Sequence, residues 1–594
     1  MTDKYKDIPF QSKKKLAGLE GLSSQLTKTG VDLEERGINV TSKGLKGDNG
    51  ITDNTTLLSA ALDYAIANKS ELFLPEGIYV IKAPITKTIS KKFKIRGDNA
   101  VIKLVLPNGT PNTLSVLRFN DVKKNITFEG ITIDANRQAS NPLIIHNNST
   151  DMVNVGNVVF QDCVFQNGLQ TDDTLYQSGV YVRGAFNKVI SNRSTFINMD
   201  STKTTSPVSR GLHVAEDSDK DNYTKSVVIT DSHFEDIYNY TTVDSDGFSY
   251  SNKFDPLQLK EGNLSIKGTT FKNCKGRSIK SQVQSDTIVG NYFYRDKYAG
   301  NTEVDCQYAG ATISNNQFFY KDFGVDVVFG GSVRSAIHRQ FVAADNVVTV
   351  INATITSVCG IDAMGNFPLN SVSIKDNKVK GIVQRFAKLR IADVADNTVD
   401  IIGNSAETAT SFLNVWMYGT GAPVLKGAFQ SNLELGTAKP FELTSTTFKP
   451  TVFLNNTRIN IAQGAMLSSD DQALELSRFG TYIRRLYQGN RAMNTVLSIN
   501  VPWENKRSAV KVMCSTAYAS DTEVTTYIST LECWVTMGLN GVAKVSPVAN
   551  TSPFLGDWDV VANGDKSGLT ITKTAGSTSA YCNYFVVVEG NDQP

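Results

Sequence analysis

Thr312–Phe329 reads TISNNQFFYKDFGVDVVF. An isoleucine, a polar corner and a phenylalanine come first, followed by a valine run with a single acid, Asp326, between Val325 and Val327. The first half asks what fold makes such a corner; the second asks why a strand keeps a charge.

The corner recurs. Written as apolar, any, polar or Gly, any, any, aromatic or β-branched, it appears as FEGITI from Phe128, FQDCVF from Phe160, ITDSHF from Ile229, IKGTTF from Ile266 and IVGNYF from Ile288. ISNNQF from Ile313, IKDNKV from Ile374, VADNTV from Val394 and LNNTRI from Leu454 continue it, with weaker copies around Arg193, Asp345 and Asn432. One column holds Asn291, Asn316, Asn346, Asn377 and Asn397, with Ser194, Ser232 and Thr269 in earlier copies. Short β-type runs repeating every 20 to 35 residues or so mark a solenoid, whose units bury their apolar faces only by stacking. The apolar period is two rather than 3.6, so the units are strands and turns. An Asn in a turn tolerates left-handed backbone and hydrogen-bonds nearby main chain, so stacked copies predict a ladder. The reading is all-β, a parallel β-helix of about twelve coils; an irregular β-sandwich with chance similarities is the alternative.

Composition fits a large soluble β protein. At 594 residues the chain exceeds a usual single core, so a repeat body with smaller end domains is expected. The 60 basic and 58 acidic residues give a net charge of +2, which points to neither nucleic acid nor membrane insertion. No long apolar run or Sec-type leader is visible, so a cytosolic product is expected. Cys163, Cys274, Cys306, Cys359, Cys514, Cys533 and Cys582 are odd in number and lack CxxC spacing. They read as small core residues, and neither a metal site nor a cofactor is expected.

Five regions separate: a polar, Lys-rich arm at 1–37, a capped start at 38–110, the repeats at 111–462, a helical or extended neck at 463–492 and a β-rich end at 493–594. In the second, Asp53 or Asn54 caps a helix that places Leu57, Leu58, Ala61, Leu62, Ala65 and Ile66 on one face. Pro75 and Gly77 then turn the chain between strands Leu72–Leu74 and Tyr79–Ile81. Such a helix would cover the sticky edge of the first coil. In the last region, runs such as VLSINV, AVKVMC and YFVVVEG suggest a sandwich or jelly-roll for trimerisation or glycan binding. Trp534 and Trp558 are candidates for stacking on sugar, with core packing as the alternative.

The segment Asn54–Ile81, with LPEGIY, and ITFEGITIDANR from Ile126 resemble the first coils of pectate-lyase-like right-handed β-helix proteins. Within that superfamily, a short arm, a long β-helix and a β-rich end resemble a bacteriophage tailspike that depolymerises capsule or O-antigen. The resemblance spans roughly 38–460 and implies a homotrimer on the virion tail, docked through its arm onto another tail protein and acting on bacterial surface polysaccharide. The superfamily holds hydrolases and lyases alike, so the reaction stays open.

The charge in the valine run belongs to that question. Aligning SIKSQ from Ser278, EVDCQ from Glu303 and GVDVV from Gly324 places Ile279, Val304 and Val325 inward and stacks Lys280, Asp305 and Asp326 outward. Adjacent strands lie about 4.8 Å apart, so Asp305 and Asp326 would be neighbours, with Glu303 on the same face. Paired carboxyls are what glycoside hydrolysis needs. Asp305 and Asp326 are therefore the expected catalytic pair, with Glu303 as the alternative acid. Tyr181, Arg183, His213, Asp244, Asp246 and Lys280 extend the row as candidate substrate contacts. Tyr181, Arg183, His213 and Lys280 would instead serve a lyase acting on a uronic acid, and a non-enzymatic glycan-gripping adhesin is a third reading. His146, His233 and His338 read as loop or structural residues.

Overall fold

The computed structural model describes residues 38–591 apart from segments between strands, the longest being 253–261, 459–471 and 547–555. The expected arm at 1–37 and His338 lie outside the described residues.

A single turn of the chain contains the opening stretch. Gly310–Ser314 and Gln317–Lys321 are strands flanking the corner, and Val325–Val333 follows on a third face. Each pairs in parallel with the strands one turn away on either side; Gly310–Ser314, for example, lies between Ser285–Val289 and Phe341–Ala344. Repetition gives three long parallel sheets within one 39-stranded ladder, a right-handed parallel β-helix. The third sheet alone runs from Ile85–Thr88 to Lys439–Leu443.

The corner works through a division of labour that the sequence reading merged into one residue. Its third position is left-handed: Gly290 at φ 67°, Asn315 at 56°, Asp345 at 56°, Asp376 at 53° and Gly403 at 68°. Gly, Asn and Asp are the residues that take this conformation at least cost, hence "polar or Gly" there. The Asn that follows carries the ladder. Asn316 N donates to Asn346 Oδ1 at 3.0 Å, and Asn316 Nδ2 donates to Ile288 O at 2.9 Å and to Asn346 Oδ1 at 3.0 Å. The same bonds recur at Asn291, Asn346, Asn377 and Asn404, and the hydroxyls of Thr269, Ser232 and Ser194 continue the line backward. Asn397 is not in it, contrary to expectation: Asn377 N donates to Asn404 Oδ1 at 3.0 Å, while Asn397 opens the strand Asn397–Ile402. The true corner there, IIGNSA from Ile401, ends on Ala406 rather than an aromatic residue, so the pattern passed over it.

The sixth position fills the interior. Phe196, Phe234, Phe271, Phe293 and Phe318 form a column of near-parallel rings with centroids 4.7, 4.8, 5.2 and 4.5 Å apart. These separations match the strand spacing, so each coil adds one ring to a continuous core.

Helix Thr55–Asn68 closes the first coil with Leu58, Ala61, Leu62 and Ala65 buried; Ile66 is partly buried, and Leu57, expected on that face, is exposed. Of the two cap candidates Asp53 acts, its Oδ1 accepting from Thr55 N at 3.0 Å, whereas Asn54 Oδ1 accepts from Lys46 N, outside the helix, at 2.9 Å.

At the other end, six antiparallel strands and a second sheet of three bury Val510, Val512, Leu531, Trp558, Ile571 and Val586 in a β-sandwich core. Gln472–Phe479 and Tyr482–Ala492 belong to the larger sheet, so the stretch expected as a neck supplies two sandwich strands. Trp558 is core, its Nε1 donating to Thr516 Oγ1 at 3.0 Å, whereas Trp534 is exposed. The six cysteines with described side chains are buried free thiols.

One interior acid interrupts the apolar filling. Asp286 is buried between Leu264 and Ala311 of adjacent coils and accepts from Ser281 Oγ at 2.6 Å; burial pushes its carboxyl up to about 7. The fold keeps Asp286 protonated to about pH 7, whereas the unfolded chain ionises it near 3.8. Its contribution to stability is therefore present at acid pH and lost as pH rises through that window. Asp286→Asn is expected to melt progressively higher than the parent protein as pH is raised from about 5 to 8; a melting difference independent of pH would contradict this.

Candidate functional site

On the third sheet one outward column can be followed from coil to coil: Tyr181, His213, Ser249, Lys280, Asp305, Gly330, Gly360, Lys388 and Asn414 occupy consecutive register positions. Tyr181, His213, Lys280 and Asp305 thus stand in the row that the sequence predicted. Asp326 does not. The register pairs Asp305 with Gly330, and sets Asp326 between Val325, opposite Gly300, and Val327, opposite Thr302. It is exposed and displaced along the strand from Asp305.

Glu303 is also corrected. Glu303 and Val304 are both buried, as are Val328 and Phe329 one coil later. Strict alternation fails at these two consecutive inward residues. Inside, Glu303 forms an ion pair with the fully buried Arg295 and accepts from Ser278 Oγ. Arg295 Nη1 also donates to Lys275 O at 3.1 Å, so this charge pair is held by the core and is closed to any ligand.

Asp244 and Asp305, with Asp246, which was expected outward but is buried, gather around arginines that the sequence reading did not single out. Arg277 donates from Nε to Asp246 Oδ1 at 2.7 Å, from Nη2 to Asp244 Oδ1 at 3.1 Å and from Nη1 to Asp305 Oδ2 at 3.4 Å. Arg210 lies 3.3 Å from both Asp246 Oδ2 and Asp244 Oδ1, and Lys280 Nζ donates to Asp244 Oδ1 at 3.0 Å. Three acids thus face three cations. Asp246 is fully buried and fixes both arginines, whereas the Asp244 and Asp305 side chains keep 32% and 15% exposure. Burial opposes the charge on Asp244, but Arg210, Lys280 and Arg277 outweigh it and hold the carboxyl down at about 2. Asp305 is oriented by Gln307 Nε2, which donates to its Oδ2 at 2.6 Å.

His213 completes the cluster. Its ring stacks on Tyr181 with centroids 5.1 Å apart, and burial together with Arg210 and Lys280 keeps it well below the usual histidine range, hence neutral. Its Nδ1 lies 2.6 Å from Gln177 Oε1 and 3.0 Å from Arg210 Nη1, and its Nε2 lies 3.0 Å from Ser251 Oγ. Arg183 does not reach this group; its Nη2 donates to Asp217 Oδ1 at 2.8 Å, and His146 Nε2 lies 3.4 Å from Asp217 Oδ2. His146, expected to be a loop or structural residue, therefore sits on the same outer face, opposite Arg183 in the register. His233, on the second sheet, contacts Glu235 at 2.8 Å.

No family model and no curated relative matches the sequence. Among solved structures, the tailspike gp49 of Acinetobacter baumannii bacteriophage Fri1, a capsular polysaccharide depolymerase, matches at 11% identity over 94% of this chain and 86% of that chain, with a TM-score of 0.28. A mutant tailspike of E. coli bacteriophage HK620, in complex with a pentasaccharide, matches at 10% identity over 95% and 94%, with a TM-score of 0.38. The surface adhesin PfbA of Streptococcus pneumoniae matches at 13% identity over 75% and 97%, with a TM-score of 0.33. These likenesses are distant, and the activities named for those proteins are theirs.

The placement of Glu303 has a measurable consequence. Glu303→Ala leaves Arg295 charged, buried and uncompensated, which costs about 3–5 kcal/mol. Its denaturant midpoint is expected to fall accordingly. A variant as stable as the parent protein would return Glu303 to the list of surface acids.

Proposed function

We propose that this protein is a bacteriophage tailspike that binds bacterial surface polysaccharide along the outer face of its third sheet and cleaves it by glycosidic hydrolysis. The observation that carries the reading is the three-carboxylate cluster around Arg277, partly open to solvent in the middle of a long polar column. A linear polymer laid along the column would cross it.

Hydrolysis needs one carboxylate to attack carbon or activate water and one carboxyl to protonate the leaving oxygen. Asp244, held ionised, suits the first role. Asp305, the next most accessible acid on the same guanidinium, is assigned the second. Asp246 is a positioning residue for Arg277 and Arg210. His213, Lys280 and Tyr181 line the approach, with Arg183 further along. Cations matched one for one by acids favour hydrolysis over elimination, because a lyase needs uncompensated positive charge beside the uronate carboxylate.

Digestion of a panel of purified capsular polysaccharides tests this directly. Products are expected to carry the mass of water and a new reducing end. Asp244→Asn and Asp305→Asn should each lower turnover by at least roughly 10²-fold with folding intact, while Asp326→Asn stays near the parent rate. Products lacking water and bearing an ultraviolet-absorbing unsaturated uronic end would overturn the assignment and move the chemistry to Tyr181 and His213. Binding with no soluble product would make the protein an adhesin.

The assembly belongs to the same proposal: a parallel homotrimer on the virion tail, docked through residues 1–37 onto another tail protein. Exposed Tyr292, Ile351 and Ile382 along the second sheet support a chain-to-chain contact. Light scattering is expected to give three chains per particle; a monomer would contradict the trimer.

A further inference from the structure

The outward column does not end at Asp305. The next two positions are Gly330 and Gly360, which carry no side chain, and then come Lys388 and Asn414. Added Cβ atoms would meet Gly360 O at 2.1 Å and Val327 Cγ1 at 2.9 Å, so neither glycine can gain a side chain without displacing its neighbours. The floor beyond the carboxylate cluster is therefore bare backbone for two coils. At its far end stands Trp416, exposed at 37%. Lys388 Nζ lies 5.2 Å and the Arg390 guanidinium 4.9 Å from its ring centroid. Arg390 pairs with Trp416 in the register and sits 3.5 Å from Asp362 Oδ2.

We propose that Trp416, Lys388 and Arg390 form a second saccharide subsite, which takes an acidic sugar residue of a polymer whose other part lies over Asp244 and Asp305. Three features point to that ligand. An exposed indole offers an apolar face of the kind that packs against the C–H side of a sugar ring. Among the described residues Asp362 is the acid beside Arg390 and no carboxylate pairs with Lys388, whereas the cations of the Arg277 cluster are matched by acids. The guanidinium and ammonium are the groups that bind a carboxylate by charge-assisted hydrogen bonds. The platform lies four strand spacings from Asp305, roughly 19 Å, so it can act only on a polymer and not on a short fragment at the cleavage point. It determines which chains are held and where they are cut.

The inference rests on the proposed hydrolase site, and its test separates the two. Binding to immobilised purified capsular polysaccharides, acidic and neutral, is measured for the full chain carrying Asp244→Asn, so that the polymer stays intact. Acidic polymer should be retained, and adding Trp416→Ala or Lys388→Gln should weaken it about tenfold. Trp416→Phe and Lys388→Arg should restore most of the affinity, which a folding defect would not allow. Chemical reduction of the polymer's carboxyls should erase the difference between Lys388 and Lys388→Gln. Unchanged affinity in both weakening variants, or retention of neutral polymers only, would overturn the subsite. Trp416-dependent binding of acidic polymer by a protein that yields no soluble product would leave the subsite standing and remove the hydrolase.

Discussion

The constraint on which the rest depends is the corner between the first and second sheets, where one left-handed residue is followed by a buried side chain that hydrogen-bonds the same corner in the next coil. The bonds from Asn316 to Asn346 and onward to Asn432 satisfy buried backbone N–H groups that the turn would otherwise strand. They also lock the register. A coil that slipped by one residue would lose its Asn contact and turn its Phe outward, because side chains alternate along each strand. Once register is fixed, every face of the helix is fixed with it, including the outer column on the third sheet. The charged cluster is a consequence of corners that lie on a different edge of the coil.

That dependence explains how much was legible in the sequence. The corner is local, six residues long and chemically demanding, so Asn291, Asn316, Asn346 and Asn377 could be aligned by eye. Asn404 was lost because Ala406 fills the aromatic position, and a small residue leaves no trace in a pattern that looks for a large one. The outward row from Tyr181 through His213 and Lys280 to Asp305 was legible for the same reason as the corner. The burial of both Glu303 and Val304 was not. Two adjacent inward residues look like ordinary alternation shifted by one, and nothing in EVDCQ distinguishes them. Glu303 was misplaced by that pair of inward residues, and Asp326 by the register, which sets Gly330 rather than Asp326 opposite Asp305.

The arginines escaped for another reason. Arg210 and Arg277 precede the apolar core of their strands and belong to no motif; only the fold brings them beside Asp246. Electrostatics then acts on the site as a unit. Asp244 is pulled down to about 2 by three cations, His213 is kept neutral by burial and two of the same cations, and Asp286, an interior acid with hydroxyl and thiol partners but no cation, is pushed up to about 7. Three titratable groups separated by a few coils thus sit in three different states at neutral pH, each for a cause visible in its neighbours.

The central claim is that the outer face of the third sheet at the Arg277 cluster is where polysaccharide is held for cleavage. A crystal structure of the Asp244→Asn protein soaked with an oligosaccharide purified from the parent protein's digest addresses it most directly. The account predicts sugar density along that column, with a glycosidic oxygen within hydrogen-bond reach of Asp305 and rings passing over Gly330 and Gly360 toward Trp416. Density on the second sheet, on the sandwich, or at the third sheet without contact to Asp305 would contradict it.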